Sequence, residues 1–351
     1  MTKGIKPLWK GPTEDGITFS MLSKFLVCRE RFRLQVIEGL RPEDRFSHKI
    51  EYGNMWHLCD EMYEKAKSYE KPLSDYVQAL IKKYPLDSTQ ILHWWKVVLT
   101  QFPLYILHRK RTSKPGLISV ATEQVFDVPY ELPSGRTVRL RGKVDEIMLR
   151  TEKGRGSSLF LKETKTKGDI DEVNLVKQLT FDLQIMKYMV AMTQDTGIES
   201  LEKIKEKAPV QGVIYNVIRR PLSGGKGSIV RHKETKNKPA ETEESFYQRV
   251  GDYIVEEPER YFMRWTVEIT KDDITRFRHR CLNPLLEDLC SWYMEVTGRD
   301  DPFSGEHHWV YPYGVYNPLN DGGMTDLDEC VNSGSTVGLK KVFELFSELH
   351  T

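Results

Sequence analysis

The residues best suited to chemistry are Asp145, in the run Gly142-Lys143-Val144-Asp145, and the tripeptide Glu163-Thr164-Lys165, which begins 18 residues later. Side chains alternate along a strand, so Glu163 and Lys165 share a face. A hairpin over this interval sets Glu163 beside Asp145. Two carboxylates brought together repel unless a cation lies between them, and Mg²⁺ and Mn²⁺ favour such hard oxygen donors. A divalent ion there polarises a phosphoryl oxygen and acidifies water, and Lys165 beside it stabilises developing phosphate charge or orients the attacking water. Alone, Glu-x-Lys says little, because charged residues on strands commonly face solvent. Two further features follow in order: His57 in Gly53-Asn54-Met55-Trp56-His57, and Gln184 with Tyr188, four apart on one helical face.

The elements that must carry these residues are legible. Thr18 or Ser20 caps a helix over 18–37, with an apolar stripe at Leu22, Phe25, Leu26, Phe32 and Val36, and Gly39 ends it. A second helix spans about Tyr52 to Lys67, and 73–110 holds one or two more, interrupted near Pro85 and Pro103. Residues 119–128 and 137–150 alternate as strands around a Pro-Ser-Gly turn, 151–158 is a loop, and 159–165 is a third strand. A long amphipathic helix over 172–192 and a buried strand over 210–220 follow. Residues 221–242 form a Gly- and Lys-rich loop, 243–258 and 271–297 are helical, 300–335 is irregular, and 337–349 is a short helix. This order predicts an α/β or α+β core. Three regions are expected: a helical region over 1–115, a core over 116–270 and an extension over 271–351.

Overall charge is uninformative until it is divided. The net charge is +1, but residues 1–250 carry 43 basic and 32 acidic side chains, against 9 and 19 in 251–351. Every candidate catalytic residue lies in the basic portion, so near-neutrality does not exclude a polyanionic partner. The absence of a long apolar run argues against a membrane span, and the N-terminus lacks an apolar signal core. Five cysteines without a Cys-x-x-Cys pair fit a reducing, cytoplasmic setting.

The ordered set Gly-x-x-x-His, Gly-x-Val-Asp, Glu-x-Lys and Gln-x-x-x-Tyr resembles the RecB-type branch of the PD-(D/E)XK nuclease superfamily. The opening SMLSKFLVCRERFRLQVIEGL is also similar to that branch, with Arg29 where a proline usually stands. The similarity spans roughly 18–270 and is nearest in flavour to stand-alone phage and CRISPR-associated exonucleases. It implies a restriction-endonuclease-like core, a mixed sheet flanked by helices. It further implies Mg²⁺ or Mn²⁺ held by His57, Asp145, Glu163 and the Thr164 carbonyl, with Lys165 as catalytic lysine and Gln184 and Tyr188 positioning the scissile phosphate or DNA end. Metal-dependent hydrolysis of linear double- or single-stranded DNA follows from the resemblance. Alternatives are an end-trimming component working with recombination or CRISPR-adaptation proteins, and a non-catalytic DNA-binding subunit.

Some relatives carry a four-cysteine iron–sulfur cluster. Cys28 matches its first position, but Cys281, Cys290 and Cys330 are too dispersed for the tight final group, so no cluster is expected. Arg219, Arg220, Lys226, Arg231 and Lys233 would track a DNA backbone, with the basic loop closing over the strand. Trp94, Trp95, Trp265 and Trp309 suit packing better than base stacking.

Overall fold

The computed structural model describes residues 7–298 except 114–115, 155, 171–174, 176, 180–181, 223–227 and 237, together with 336–344 and 349. Helices α1 (Phe19–Val27) and α2 (Arg29–Phe32) come first, and α2 runs on into one π turn over Arg33–Ile37. Thr18 caps α1 by accepting the Met21 N–H. The expected single helix over 18–37 is therefore divided at Cys28, whose backbone is extended, and Arg29 then pairs with Asp288 across the fold.

A short strand β1 (Leu40–Pro42) leads to α3 (His48–Ala66), α4 (Glu70–Lys83) and α5 (Ser88–Thr112). A 3₁₀ turn at Pro85–Asp87 separates the last two, as the proline signal predicted. Pro103 does not interrupt α5. It lies on the exposed side, where the carbonyl it leaves unbonded can meet water, while the opposite face is fixed by packing against α3.

The centre is a five-stranded sheet of β2 (Leu117–Glu131), β3 (Thr137–Glu152), β4 (Gly156–Lys167), β5 (Val210–Arg219) and β6 (Phe262–Glu268), neighbours in that order. All pairs are antiparallel except β4 with β5. That parallel pair is joined by a crossover holding α6 (Leu183–Met192) and α7 (Glu199–Lys205). Most of the expected 151–158 loop is strand, because β3 and β4 stay paired as far as Glu152 and Gly156. The helix expected over 172–192 is broken: Asp182 adopts an extended backbone and caps α6, accepting the N–H groups of Gln184 and Ile185. Strand β6 was not expected, and it closes the sheet against β5.

Helices α8 (Glu243–Glu256) and α9 (Pro258–Tyr261) precede β6, and α10 (Lys271–Phe277) and α11 (Asn283–Thr297) follow it. The expected 300–335 irregular stretch lies outside the described residues. In place of the expected helix over 337–349, Leu339–Lys341 forms a strand, β7, antiparallel to β1. The β1 backbone offers ladder partners that outweigh the local helical signal.

Two apolar cores cover the sheet. One joins α1, α6 and α11 to Leu161, Val213 and Val217, and the other joins α3, α4, α5 and α8 to Ile218 and Phe262. Alternation along β5 sends Val217 and Ile218 to opposite faces. Trp9, Trp292 and Trp56 are fully or almost fully buried, each stabilising the fold by roughly 2–3 kcal/mol. No described helix is long and apolar enough to cross a membrane.

Candidate active site

The β3–β4 ladder ends at Glu146 paired with Lys162, and the next register positions are Asp145 and Glu163. Just beyond the ladder, the Thr164 N–H donates to Asp145 Oδ2 at 2.8 Å. Apolar side chains of β3 reach the α6-side core from Val138, Leu140 and Val144 and then from Ile147, so the alternation slips by one residue across Asp145 and Glu146. The neighbouring strand shares the irregularity. The β2 register shifts between Ser119 and Ala121, and Glu123 takes a left-handed φ of 51°. Such a backbone costs a non-glycine residue on the order of 1 kcal/mol, and strain of this kind concentrates at functional sites.

From the other side, α3 brings His57 Nδ1 to 3.6 Å from Asp145 Oδ2. Nearest-ligand atoms of His57, Glu123 and Asp145 all lie within 4.8 Å of one another, the single such group among the described residues. Glu163 is 4% exposed, and its Oε2 is buried without a hydrogen-bond partner. Its other oxygen, Oε1, accepts from Lys165 Nζ at 2.7 Å. Lys165 Nζ also donates to Gln184 Oε1 at 2.6 Å, and Gln184 Nε2 donates to the Tyr188 hydroxyl at 3.2 Å. A continuous polar chain therefore runs from Glu163 to Tyr188.

Packing fixes that chain. Tyr188 meets Phe126 edge-on at 5.2 Å between centroids. Both rings lie over Gly142, where an added Cβ would stand 2.7 Å from Phe126 and 2.9 Å from Tyr188. The glycine of Gly-x-Val-Asp is thus required by close approach of α6 to the sheet. Lys187, fully buried, donates from Nζ to the Arg141 carbonyl and ties α6 to β3.

The electrostatics suit a cation. Burial pushes the Asp145 carboxyl up to about 7, with the Glu123 charge adding to the rise. Burial and the Asp145 charge push Glu163 up to about 7 as well. Burial lowers the His57 pKa, which keeps its imidazole neutral and able to donate a lone pair. Burial also disfavours the Lys165 ammonium, but Glu163 and Asp182 outweigh it and hold its pKa above the ordinary lysine range. The His57–Glu123–Asp145 group, with the unpartnered buried oxygen of Glu163 on the adjoining strand, offers hard donors of the kind that suits Mg²⁺ or Mn²⁺.

The sequence matches the family model of the PD-(D/E)XK nuclease superfamily over residues 17–281. The chain belongs to the PD-(D/E)XK nuclease superfamily. Membership implies a nuclease with DNA as substrate, of a kind that typically uses Mg²⁺ or Mn²⁺. No curated protein matches the sequence.

In this nuclease His57, Asp145, Glu163, Thr164, Lys165, Gln184 and Tyr188 converge. The proposed DNA contacts do not converge in the same way. Arg219 and Arg220 are 6% and 8% exposed, and Arg220 Nη1 donates to the Thr166 carbonyl at 3.3 Å. Arg231 donates to the Glu241 carbonyl, and Lys233 is exposed. Lys226 lies outside the described residues. The described part of this loop is tied to α8, where Arg249 donates to both Glu241 carboxylate oxygens at 2.8 and 2.7 Å. Trp94 belongs to the second core, stacked on His48, and Trp265 packs on the first, while Trp309 lies outside the described residues. Cys28, Cys59 and Cys290 are buried, Cys281 is exposed, and Cys330 is not among the described residues.

Sequence reasoning missed Glu123. The alternating TEQVFDV pattern holds the signal, a carboxylate one strand before Asp145, but its approach depends on the left-handed kink. Also missed was a buried network beside the site, lining the same cavity, in which Lys162 Nζ bonds Asp60 and Glu146, and Arg109 bonds Asp60 and Glu64.

Proposed function

We propose that the protein is a divalent-metal-dependent DNA exonuclease of the RecB-type branch, acting in recombination, replication or degradation of phage or mobile-element DNA. The observation that carries this reading is the His57–Glu123–Asp145 donor group next to Glu163, whose carboxylate accepts from Lys165, which also donates to Gln184. Support for attack at DNA ends comes from the four ordered motifs and their resemblance to stand-alone exonucleases. In this reading, residues 1–115 contribute the histidine, 116–270 form the nuclease core and 271–351 brace it.

The metal would be held by His57, Asp145, Glu163 and the Thr164 carbonyl, with Glu123 as a further oxygen donor. Bound there, it supplies Lewis-acid stabilisation of the phosphoryl oxygens. Lys165 is an ammonium at neutral pH, so it acts as a fixed positive charge toward the phosphate and not as a general base. Gln184 orients that ammonium through its carbonyl oxygen. Tyr188 orients Gln184 and presents a hydroxyl toward the same side. Glu163, anchored by Lys165 through one oxygen, keeps the other free for the cation.

The test is incubation of purified protein with linear, single-stranded and covalently closed circular DNA in Mg²⁺ or Mn²⁺. Linear strands should shorten from their ends while closed circles persist, and Asp145→Ala and Lys165→Ala should each be inactive but folded. Failure to cleave any linear or single-stranded DNA would falsify the enzymatic reading. Cleavage of closed circles at the same rate would overturn the assignment to ends.

A further inference from the structure

Beside the donor set, around the same cavity, lies a second charged group that uses three of its four elements. Asp60 stands on α3, one turn after His57. Glu146 follows Asp145 on β3, and Lys162 precedes Glu163 on β4. Lys162 Nζ donates to Asp60 Oδ2 at 2.9 Å and to Glu146 Oε2. The three residues are 7%, 2% and 3% exposed respectively, so this is an interior ion triad.

Alternation along a strand aims Lys162 and Glu163 to opposite sides of β4. Three of the four elements that contribute a candidate metal ligand, α3, β3 and β4, thus contribute, within one to three residues, one member of the triad, while β2, which carries Glu123, does not. A buried ammonium between two carboxylates is costly to assemble, and a well-packed apolar trio often serves stability as well or better. What it provides that an apolar trio does not is directional, short-range fixation of three backbones. Glu146 Oε1 is buried with no hydrogen-bond partner, so the triad is not built to maximise hydrogen bonding. Its partners are also separated widely in sequence: Asp60 and Lys162 lie 102 residues apart.

We infer that the Asp60–Lys162–Glu146 triad is a positioning device for metal binding, setting the spacing between His57, Asp145 and Glu163. The inference rests on the metal-site reading above. Arg109 supplies an internal contrast. It pairs with Asp60 and Glu64 and is equally part of the network, but it projects from α5, which carries no ligand. Groups that orient metal ligands typically change metal affinity or activity 10- to 100-fold when removed.

The experiment uses the full chain and Mn²⁺ as probe, followed by calorimetric titration. The charge-free triple variant Asp60→Asn/Glu146→Gln/Lys162→Met removes the triad without stranding a buried charge. It should keep wild-type circular dichroism, bind Mn²⁺ about tenfold or more weakly, and show in a metal-free crystal a His57 Nδ1 to Asp145 Oδ2 separation longer than 3.6 Å. Arg109→Met should lose thermal stability yet bind Mn²⁺ as wild type does. A folded triple variant with unchanged affinity and unchanged separation overturns the inference, and so does Arg109→Met weakening Mn²⁺ as much as the triple variant. Should the triple variant not fold, Glu146→Gln retains an acceptor for Lys162, and the same readouts should move by a few-fold. If wild-type protein binds no Mn²⁺, the metal reading falls, while the metal-free separation still decides the role of the triad.

Discussion

Two clusters of buried charge sit side by side around one cavity, and they solve the same electrostatic problem differently. Beside the site, Asp60 and Glu146 share Lys162 and Asp60 and Glu64 share Arg109, so each of these carboxylates meets a cation that is part of the chain. In the site, Glu123 pairs with Lys143 and Glu163 with Lys165, but Asp145 meets the neutral His57 imidazole and the Thr164 N–H in place of a cation, and both Asp145 and Glu163 are pushed up to about 7. The first cluster carries its own counter-ion and serves geometry. The second is left short of positive charge, the condition under which a donor set takes up a metal ion. Adjacent residues fall into the two clusters because strand alternation sends Lys162 and Glu163 apart.

The comparison can be broken from either side. The largest effect is expected at Lys165 and Asp145: Lys165→Ala or Asp145→Ala should lower DNA hydrolysis by about 10³-fold or more, with circular dichroism unchanged. Activity within tenfold of wild type would mean that the charged cluster is not the reaction centre.

Next in size is Lys162→Met alone. It strands the buried Glu146 and leaves Asp60 with Arg109 alone, and chemical denaturation should show a loss of about 3–5 kcal/mol. The corresponding change in the site should do the opposite. Glu163→Gln removes a carboxyl whose folded pKa lies above its ordinary value of 4.5. The folded state then binds that proton more tightly than the unfolded state does. Its contribution to stability is full below about pH 4.5 and is lost as pH rises to about 7, at roughly 1.4 kcal/mol per pKa unit. Metal-free Glu163→Gln should therefore melt higher than wild type at pH 8 and the gap should close near pH 4.5. Melting curves with no pH-dependent gap would remove the contrast between the clusters. Mn²⁺ should raise the wild-type melting temperature at pH 8 more than at pH 6, because protons compete with it.

The smallest expected change is at Glu123. Glu123→Gln keeps the side-chain shape but removes one donor charge and the ion pair with Lys143. Mn²⁺ affinity measured by calorimetry should fall about tenfold. An unchanged affinity would confine the donor set to the residues the motifs already name.

Much of the site was legible because its signals are local. Glu163 and Lys165 share a face by the two-residue strand period, and Gln184 and Tyr188 by the four-residue helical one. The short hairpin brings Asp145 and Glu163 to adjacent register positions. The glycine before Asp145 had a reason that sequence could not supply, the approach of Tyr188 and Phe126. Less legible elements depended on partners distant in the chain. Strand β6 owes its existence to β5, and β7 to β1 at the other end of the sequence. The break at Asp182 was readable in principle, since aspartate caps helices, but the apolar periodicity on both sides concealed it.

By itself the sequence determined the chemistry available: which carboxylates, which lysine, and the periodicities that set them on common faces. Those properties follow from backbone geometry over a few residues. Only the tertiary structure decided which charges receive a built-in counter-ion and which do not. That division depends on the packing of α3 against β3 and β4, on the slip in alternation at Asp145 and Glu146, and on the left-handed turn at Glu123. Each of these is set by contacts between segments far apart in sequence, where no local period reaches.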